Sequence, residues 1–333
     1  MTEFVATTPG LFPLPDWAKD ELSDLKGHQK EDLVSGNEGP EIESVTDRAR
    51  TAVIEDQQNA GLNRIVEGQL RWDDMLAHPL AVHENVETKG IVRYYDNNNF
   101  YRDPVVTGDL TFSGDVAAEL EKAASQTDAL QAVLPGPYSL ADLASNQYYE
   151  DDAAFLDAIG EFLAGEIEAF PATETLYLLE PSLVTNPPED GADEHASEVI
   201  DALAAATDTD VVVHTHYGSL TEKVHAHLLD ADIDAVGYDF VSNHEENLYN
   251  INEYGTKKSI SLGVTNGQNT LVETPEKINE RVDWVLDNTP VASFDTVYMT
   301  PNTELFYLPV NKYQEKLAAL GEAAALRKEV TTA

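Results

Sequence analysis

The chain has no cysteine. That excludes disulfides and every chemistry in which a protein thiolate acts as nucleophile or metal ligand. Basic side chains are scarce: 20 Lys and Arg stand against 61 Asp and Glu, a formal net charge of −41. The acids are spread along the whole chain, so nucleic acid and anionic membranes are repelled and neither is an expected partner. Long apolar runs are lacking as well. No stretch approaches the ~18 residues of a membrane span, and the first residues show no secretory pattern, so the expectation is a soluble, cytoplasmic protein. An acid excess of this size suits a halophilic cytoplasm, because in molar salt the Debye length shrinks to about 3 Å and self-repulsion is screened.

What is present is a regular alternation of strands and helices. Short β-rich segments centre near residues 6, 64, 133, 177, 212, 236, 261 and 298 of the 333. Between them run helical patterns, among them Val45 to Ala60, Asp151 to Phe170, Glu194 to Ala206, a helix from about Leu220, Thr274 to Leu286 and Lys312 to Val330. Eight strands alternating with helices predict an α/β fold of the (β/α)8 TIM-barrel type, with an elaborated N-terminal region. A doubly wound open sheet is the competing architecture, but no Gly-rich dinucleotide fingerprint follows any strand. No interdomain linker is evident, so residues 1–333 read as a single domain.

The stretch Val211-Val212-Val213-His214-Thr215-His216-Tyr217-Gly218 organises the reading. Three valines predict a buried strand, and on an extended chain His214 and His216 project to one side. Two imidazoles at the carboxyl end of a strand can begin a metal site or simply form a hydrogen-bonded pair. Barrel active sites gather at the carboxyl ends of the strands. Those ends hold Gln69, Glu180, His214, His216, Asp239, Asn266, Gln268, Asn269, Asn302 and Glu304. The segment GIVRYYDNNNFYRDPVV (90–106) is expected to form a long ordered loop or hairpin over the strand ends. Arg93, Asn97, Asn98, Tyr101 and Arg102 would then face the cleft, with the arginines suited to carboxylates or phosphates of a ligand. His225 and His227 sit two apart on a helix and cannot share a face. His28, His78, His83, His195 and His244 read as surface residues.

Several blocks together resemble the cobalamin-independent methionine synthases, especially their short archaeal single-barrel members. They are ATTPGLFP (6–13), DQQNAGLNRIVEGQLRWDDM (56–75), RYYDNNNFYRDPVV (93–106), PGPYSL (135–140), LEPSL (179–183), VHTHY (213–217), LGVTNGQNTLVETPE (262–276) and PNTEL (301–305). The resemblance runs along almost the whole chain. It implies methyl transfer from a folate or corrinoid donor to homocysteine in methionine biosynthesis. It also implies a zinc ion that holds the substrate thiol as thiolate and lowers its pKa. The family's ligands are a His and a Cys two residues apart on the fifth strand, a Glu after the sixth and a Cys after the eighth.

Against that pattern the chain departs at the site. His214 matches the family His, but His216 stands at the first Cys, Asp239 at the Glu and Thr303 at the last Cys, with Glu304 beside it. The resemblance therefore implies a remodelled zinc site of His214, His216 and Asp239, with Glu304 or water as fourth ligand. Substrate contacts are implied for Gln69, Arg93, Asn97, Glu180, Asn266, Gln268 and Asn269. The family residues that hold the substrate's amino group are altered too: Leu11 replaces a serine, Gln69 a glutamate and Leu179 an aspartate. Two functions follow as expectations, a methyltransferase with an altered metal site, or a non-catalytic barrel that partners a thiolate-bearing catalytic paralogue. A metal-dependent hydrolase is a weaker alternative, since its His-x-His would follow the first strand.

Overall fold

The computed structural model of the protein describes residues 2–23, 38–92, 101–189, 191–291 and 293–332. Eight strands form one sheet: β1 (Glu3–Ala6), β2 (Ile65–Val66), β5 (Leu130–Pro135), β7 (Thr175–Leu179), β8 (Asp210–His214), β9 (Ala235–Asp239), β10 (Ser259–Thr265) and β11 (Thr296–Pro301). Their order is β1-β11-β10-β9-β8-β7-β5-β2. Every ladder in it is parallel. Each strand expected from the sequence is present, and the fold is the (β/α)8 barrel.

The ring closes between β1 and β2 without a regular ladder. Ala6 O accepts from the amides of Asn63 (2.9 Å) and Arg64 (3.3 Å), and Phe12 N donates to Gly68 O (3.1 Å). Gln131 of β5 reinforces the seam, accepting from Thr7 Oγ1 (2.6 Å) and donating to Thr8 O (2.7 Å). Where no ladder forms, the carbonyl of Thr8 is thus satisfied by a side chain.

Helix boundaries follow local chemistry. The first long helix runs Pro40–Asn59, five residues ahead of the apolar periodicity, with its proline in the first turn where no amide partner is lost. The helix after β8 starts at Glu222, because Thr221 caps it by accepting from Val224 N. Asp151 does the same for Asp152–Glu168.

The connection from β2 to β5 carries the elaboration. β3 (Val86–Val92) and β4 (Tyr101–Val106) form an antiparallel hairpin, and β6 (Ser145–Asn146) adds in parallel to β4. The hairpin expected from residues 90–106 therefore exists. Arg93, Asn97 and Asn98 lie outside the described residues.

Beside this connection sits a buried ionic cluster. Arg50, on the inner face of helix Pro40–Asn59, has a side chain only 2% exposed. It meets Asp47 at 2.6 Å, Glu67 at 4.0 Å, and Glu119 in closer contact. Arg71 pairs in a fork with Glu38 (2.9 and 3.0 Å) and with Asp115 at 2.8 Å. Burial pushes the Glu67 carboxyl up to about 7, against the opposing pull of Arg50.

Three histidines read as surface residues or left without a role are buried instead. His78 bonds Asp115 (2.9 Å) and stacks on Trp72. His83 bonds the Thr111 backbone (2.9 Å), and His225 bonds Tyr238 Oη (2.8 Å). Each has an apolar ring and a partner for its polar edge, which the sequence pattern alone does not display.

The charge predicts a salt requirement. At 0.01 M the Debye length is about 30 Å, so the carboxylates repel across the whole molecule and weaken the compact state. Circular dichroism is expected to lose its native signal on dialysis from molar to millimolar KCl. A native spectrum at millimolar salt would contradict this.

Candidate functional site

Strand register builds the site. Leu179, His214, Gly237, Ser261 and Tyr298 lie opposite one another across β7, β8, β9, β10 and β11. Tyr177, two residues before Leu179, helps to plug the barrel with members of this row: its Oη bonds Ser261 Oγ (3.1 Å), and its ring packs edge-on against Tyr298. At the level of His214 the next strand offers Gly237, and the imidazole occupies the space a side chain would take. A Cβ on Gly237 would sit 2.1 Å from His214 Nδ1.

His214 and His216 are fully buried, with ring centroids 5.0 Å apart. His214 Nε2 contacts Asn302 O at 3.2 Å. His214 Nδ1 and both ring nitrogens of His216 have no hydrogen-bond partner among the described residues, and the hydroxyls of Thr265 and Thr300 at neighbouring strand ends have none either. Burial lowers His214 to about 4 and, together with the nearby His214 ring, holds His216 well below the usual imidazole range. Both rings are neutral at pH 7. A buried polar atom left unpaired costs roughly 1–3 kcal/mol, so a cluster of them at a barrel mouth marks a place built to receive a ligand.

Asp239 ends β9, and neither imidazole is among its hydrogen-bond partners. Its Oδ1 accepts from Val241 N and Ser242 N (both 2.9 Å), and its Oδ2 accepts from Asn302 Nδ2 (3.1 Å). Asn302 Oδ1 in turn accepts from Gly267 N at 2.9 Å. Glu304 is buried, bonded by Thr303 Oγ1, and raised by burial.

The other residues expected at the site are placed as follows. Glu180 is wholly buried and accepts from Tyr138 N (3.0 Å), Ser139 N (2.8 Å) and Ser139 Oγ (2.6 Å), so it caps helix Pro137–Leu143. Burial raises it to about 7 in spite of these bonds. Gly136 is required there, since a Cβ would lie 2.2 Å from that carboxylate. Gln69 Oε1 accepts from Leu11 N (2.8 Å) and its Nε2 donates to Val133 O (3.3 Å). Leu11, Gln69 and Tyr217 all have positive φ (49°, 52° and 66°), and each follows a barrel strand at its carboxyl end. Strained non-glycine backbone gathers at functional sites, and here it gathers at the mouth. Asn266 is half-buried and spans a turn, while Gln268 and Asn269 are exposed at its tip. Arg93 and Asn97 lie outside the described residues.

The donor set does not fit the zinc site that the resemblance implies. Among the described residues no three His, Asp or Glu side chains come together as a metal-binding group. The oxygens of Asp239 are taken by backbone amides and Asn302, and Thr303 brings a hydroxyl where a thiolate would be needed. Sequence reasoning included Asn302 among the strand-end residues but gave it no role, and it missed Gly237 and Thr300.

The pH dependence of His214 can be checked. An unfolded imidazole binds its proton below about 6.5, whereas the folded one stays neutral down to about 4. Stability is therefore lost as pH falls through that window, by roughly 2 kcal/mol between pH 7 and 4.5 for this group. Urea unfolding of the wild type and of His214→Phe is expected to show a smaller acid loss in the variant. The raised glutamates are common to both proteins and cancel in the comparison. Equal acid losses would refute the assignment.

Residues 82–289, more than half of the chain, match the family model for the cobalamin-independent synthase N-terminal domain. A methionine synthase of Saccharolobus islandicus is 24% identical over 330 residues, covering 97% of this chain and 94% of the relative. One from Sulfurisphaera tokodaii is 21% identical over 328 residues, covering 97% and 92%. The solved B12-independent methionine synthase from Shewanella sp. W3-18-1, in complex with selenomethionine, superposes with a TM-score of 0.79 at 19% identity over 99% of both chains. An eight-stranded barrel with its strained corners and buried imidazoles at the carboxyl ends, matched by that family model, places this chain in the cobalamin-independent synthase family.

Proposed function

We propose that the chain is a methyltransferase of methionine biosynthesis, moving a methyl group from a folate or corrinoid donor to the sulfur of homocysteine. The observation that carries this is His216: a buried imidazole with both nitrogens unpartnered, at the mouth of a barrel of this family. A similar barrel was solved in complex with selenomethionine, the selenium analogue of the proposed product, which supports a sulfur amino acid as ligand. In this reading the neutral His216 ring accepts the proton of the substrate S–H as sulfur takes the methyl group, and passes it to the departing folate nitrogen, or to solvent where the donor is a methylcorrinoid. The atoms balance as thiol plus methyl donor giving thioether plus demethylated donor and one proton, bound to the folate or released. Asn266, Gln268 and Asn269 form the rim of the site. Arg93 is assigned to the donor's carboxylates on its charge, and Asn97 on the N–H donors of its amide. Gln69 and Glu180, whose side chains are committed to Leu11, Val133 and helix Pro137–Leu143, shape the walls.

A second reading is a non-catalytic barrel serving a thiolate-bearing paralogue, favoured by the incomplete metal donor set. The test is methionine formation by the chain alone, with homocysteine and either methyltetrahydrofolate or a methylcorrinoid in molar KCl. Product from the chain alone is expected. Product only after the paralogue is added would replace the first reading with the second.

A further inference from the structure

The hydrogen bonds around Asn302 fix more than its own position. The Gly267 backbone N–H can only donate, and it meets Asn302 Oδ1 at 2.9 Å. That settles the amide orientation and leaves Nδ2 to donate to Asp239 Oδ2 at 3.1 Å. Asp239 cannot rotate to do otherwise, because its Oδ1 is pinned by Val241 N and Ser242 N. At the far end the Asn302 backbone carbonyl can only accept, and it faces His214 Nε2 at 3.2 Å. His214 must therefore carry its proton on Nε2, and Nδ1 is a bare lone pair, buried and without a partner. Gly263 lets this chain of bonds close, since a Cβ there would lie 2.7 Å from Asn302 Cα.

We propose that Asn302, held by Asp239, is a positioning residue that locks His214 as the Nε2–H tautomer and leaves His216 as the imidazole that meets the ligand. Asp239 is then part of the scaffold of the site and coordinates no metal. A metal bound through His214 Nε2 would have to break the bond to Asn302 and displace its proton. The ligand consistent with this arrangement brings a neutral hydrogen-bond donor, such as S–H, to the bare nitrogen of His216, since His214 Nδ1 is packed against Gly237. The consequence for catalysis rests on the methyl-transfer reading, but the tautomer does not, so the two can fail separately.

The test is long-range proton–nitrogen NMR of histidine-labelled protein in molar KCl, without substrate. The wild type is expected to show His214 as a single Nε2–H tautomer, unchanged by equimolar zinc. Asp239→Asn places an amide N–H against the Asn302 amide N–H, so tautomers should mix and methyl transfer should fall by ~10–100-fold. The double variant Asp239→Asn with Asn302→Asp exchanges donor and acceptor, keeps the contacts to Gly267, Val241 and Ser242, and should restore both the single tautomer and the turnover. A general structural lesion at Asp239 would not be rescued by that exchange. An Nδ1–H tautomer in the wild type would overturn the proposal. So would stoichiometric zinc that removes the Nε2 proton and is lost in Asp239→Ala. Mixed tautomers in the double variant would overturn it as well.

Discussion

Replacing Arg50 with alanine is expected to destabilise the fold by about 3–5 kcal/mol, the usual cost of leaving a buried charge without its partner. Arg50 is almost wholly enclosed and is shared by Glu119, Glu67 and Asp47. Asp47 is half-exposed, at 50%, and contributes little through water. Glu67 and Glu119 have side chains only 6% and 9% exposed; Glu119 keeps Lys122 (3.0 Å) and Arg71 (3.6 Å), whereas Arg50 is the one ion-pair partner of Glu67 among the described residues. Glu67 already titrates near 7 with Arg50 in place, so in the variant it takes up a proton and relieves part of the strain. The sign follows: a carboxyl raised in the folded state costs stability as pH climbs above its unfolded value, and raising it further extends that cost upward. The Arg50→Ala loss should therefore be larger at pH 8 than at pH 5. Urea unfolding at fixed molar KCl measures both values. A loss under ~1 kcal/mol, or one independent of pH, would show that the cluster is not the desolvated network described.

Substituting Gly237 with alanine is expected to remove methyl transfer almost entirely while leaving the protein folded. The new methyl would lie 2.1 Å from His214 Nδ1, 2.9 Å from Cγ and 3.0 Å from Cα of the same residue. The imidazole cannot keep its place, yet its neighbours are the plugged core below and Asn302 above, so it must rotate out of its bond to Asn302 O. Misplacing a reacting constellation by about 1 Å can cost ~100-fold in rate, and overpacking costs about 1–3 kcal/mol of stability. Activity should thus fall far more than the urea midpoint. Retained turnover would mean that His214 has no part in the site. Unfolding without the substitution being tolerated at any salt would point to a purely structural glycine.

The barrel was legible in the sequence because each strand carries its own local signal. Val211 to Val213 are β-branched and buried, Thr175 to Leu179 is a bounded apolar run, and Gly or Pro punctuates most strand ends. The start of helix Pro40–Asn59 was misplaced because its first turn holds a proline and two acids around a single apolar anchor, Ile42. At the site, side-chain period two brought His214 and His216 together, and register put Asp239 on the adjacent strand. Which way Asp239 turns was not legible. It depends on two backbone amides in the next loop and on Asn302, which is 63 residues away in the chain. The burial of His78, His83 and His225 was hidden for a related reason. His78 and His225 each bond a side chain from another element, and His83 bonds the Thr111 backbone, contacts that no spacing rule encodes.

In the proposed reaction the barrel methylates a thiol with imidazoles and without the family's thiolate-bound metal. The most direct measurement is methionine formation from homocysteine by chelator-treated protein in molar KCl, compared with the same protein carrying His216→Ala. The account predicts that turnover survives chelation and falls by at least ~100-fold in the variant, the scale of a lost general base. Turnover that chelation abolishes, zinc restores and His216→Ala leaves untouched would contradict it.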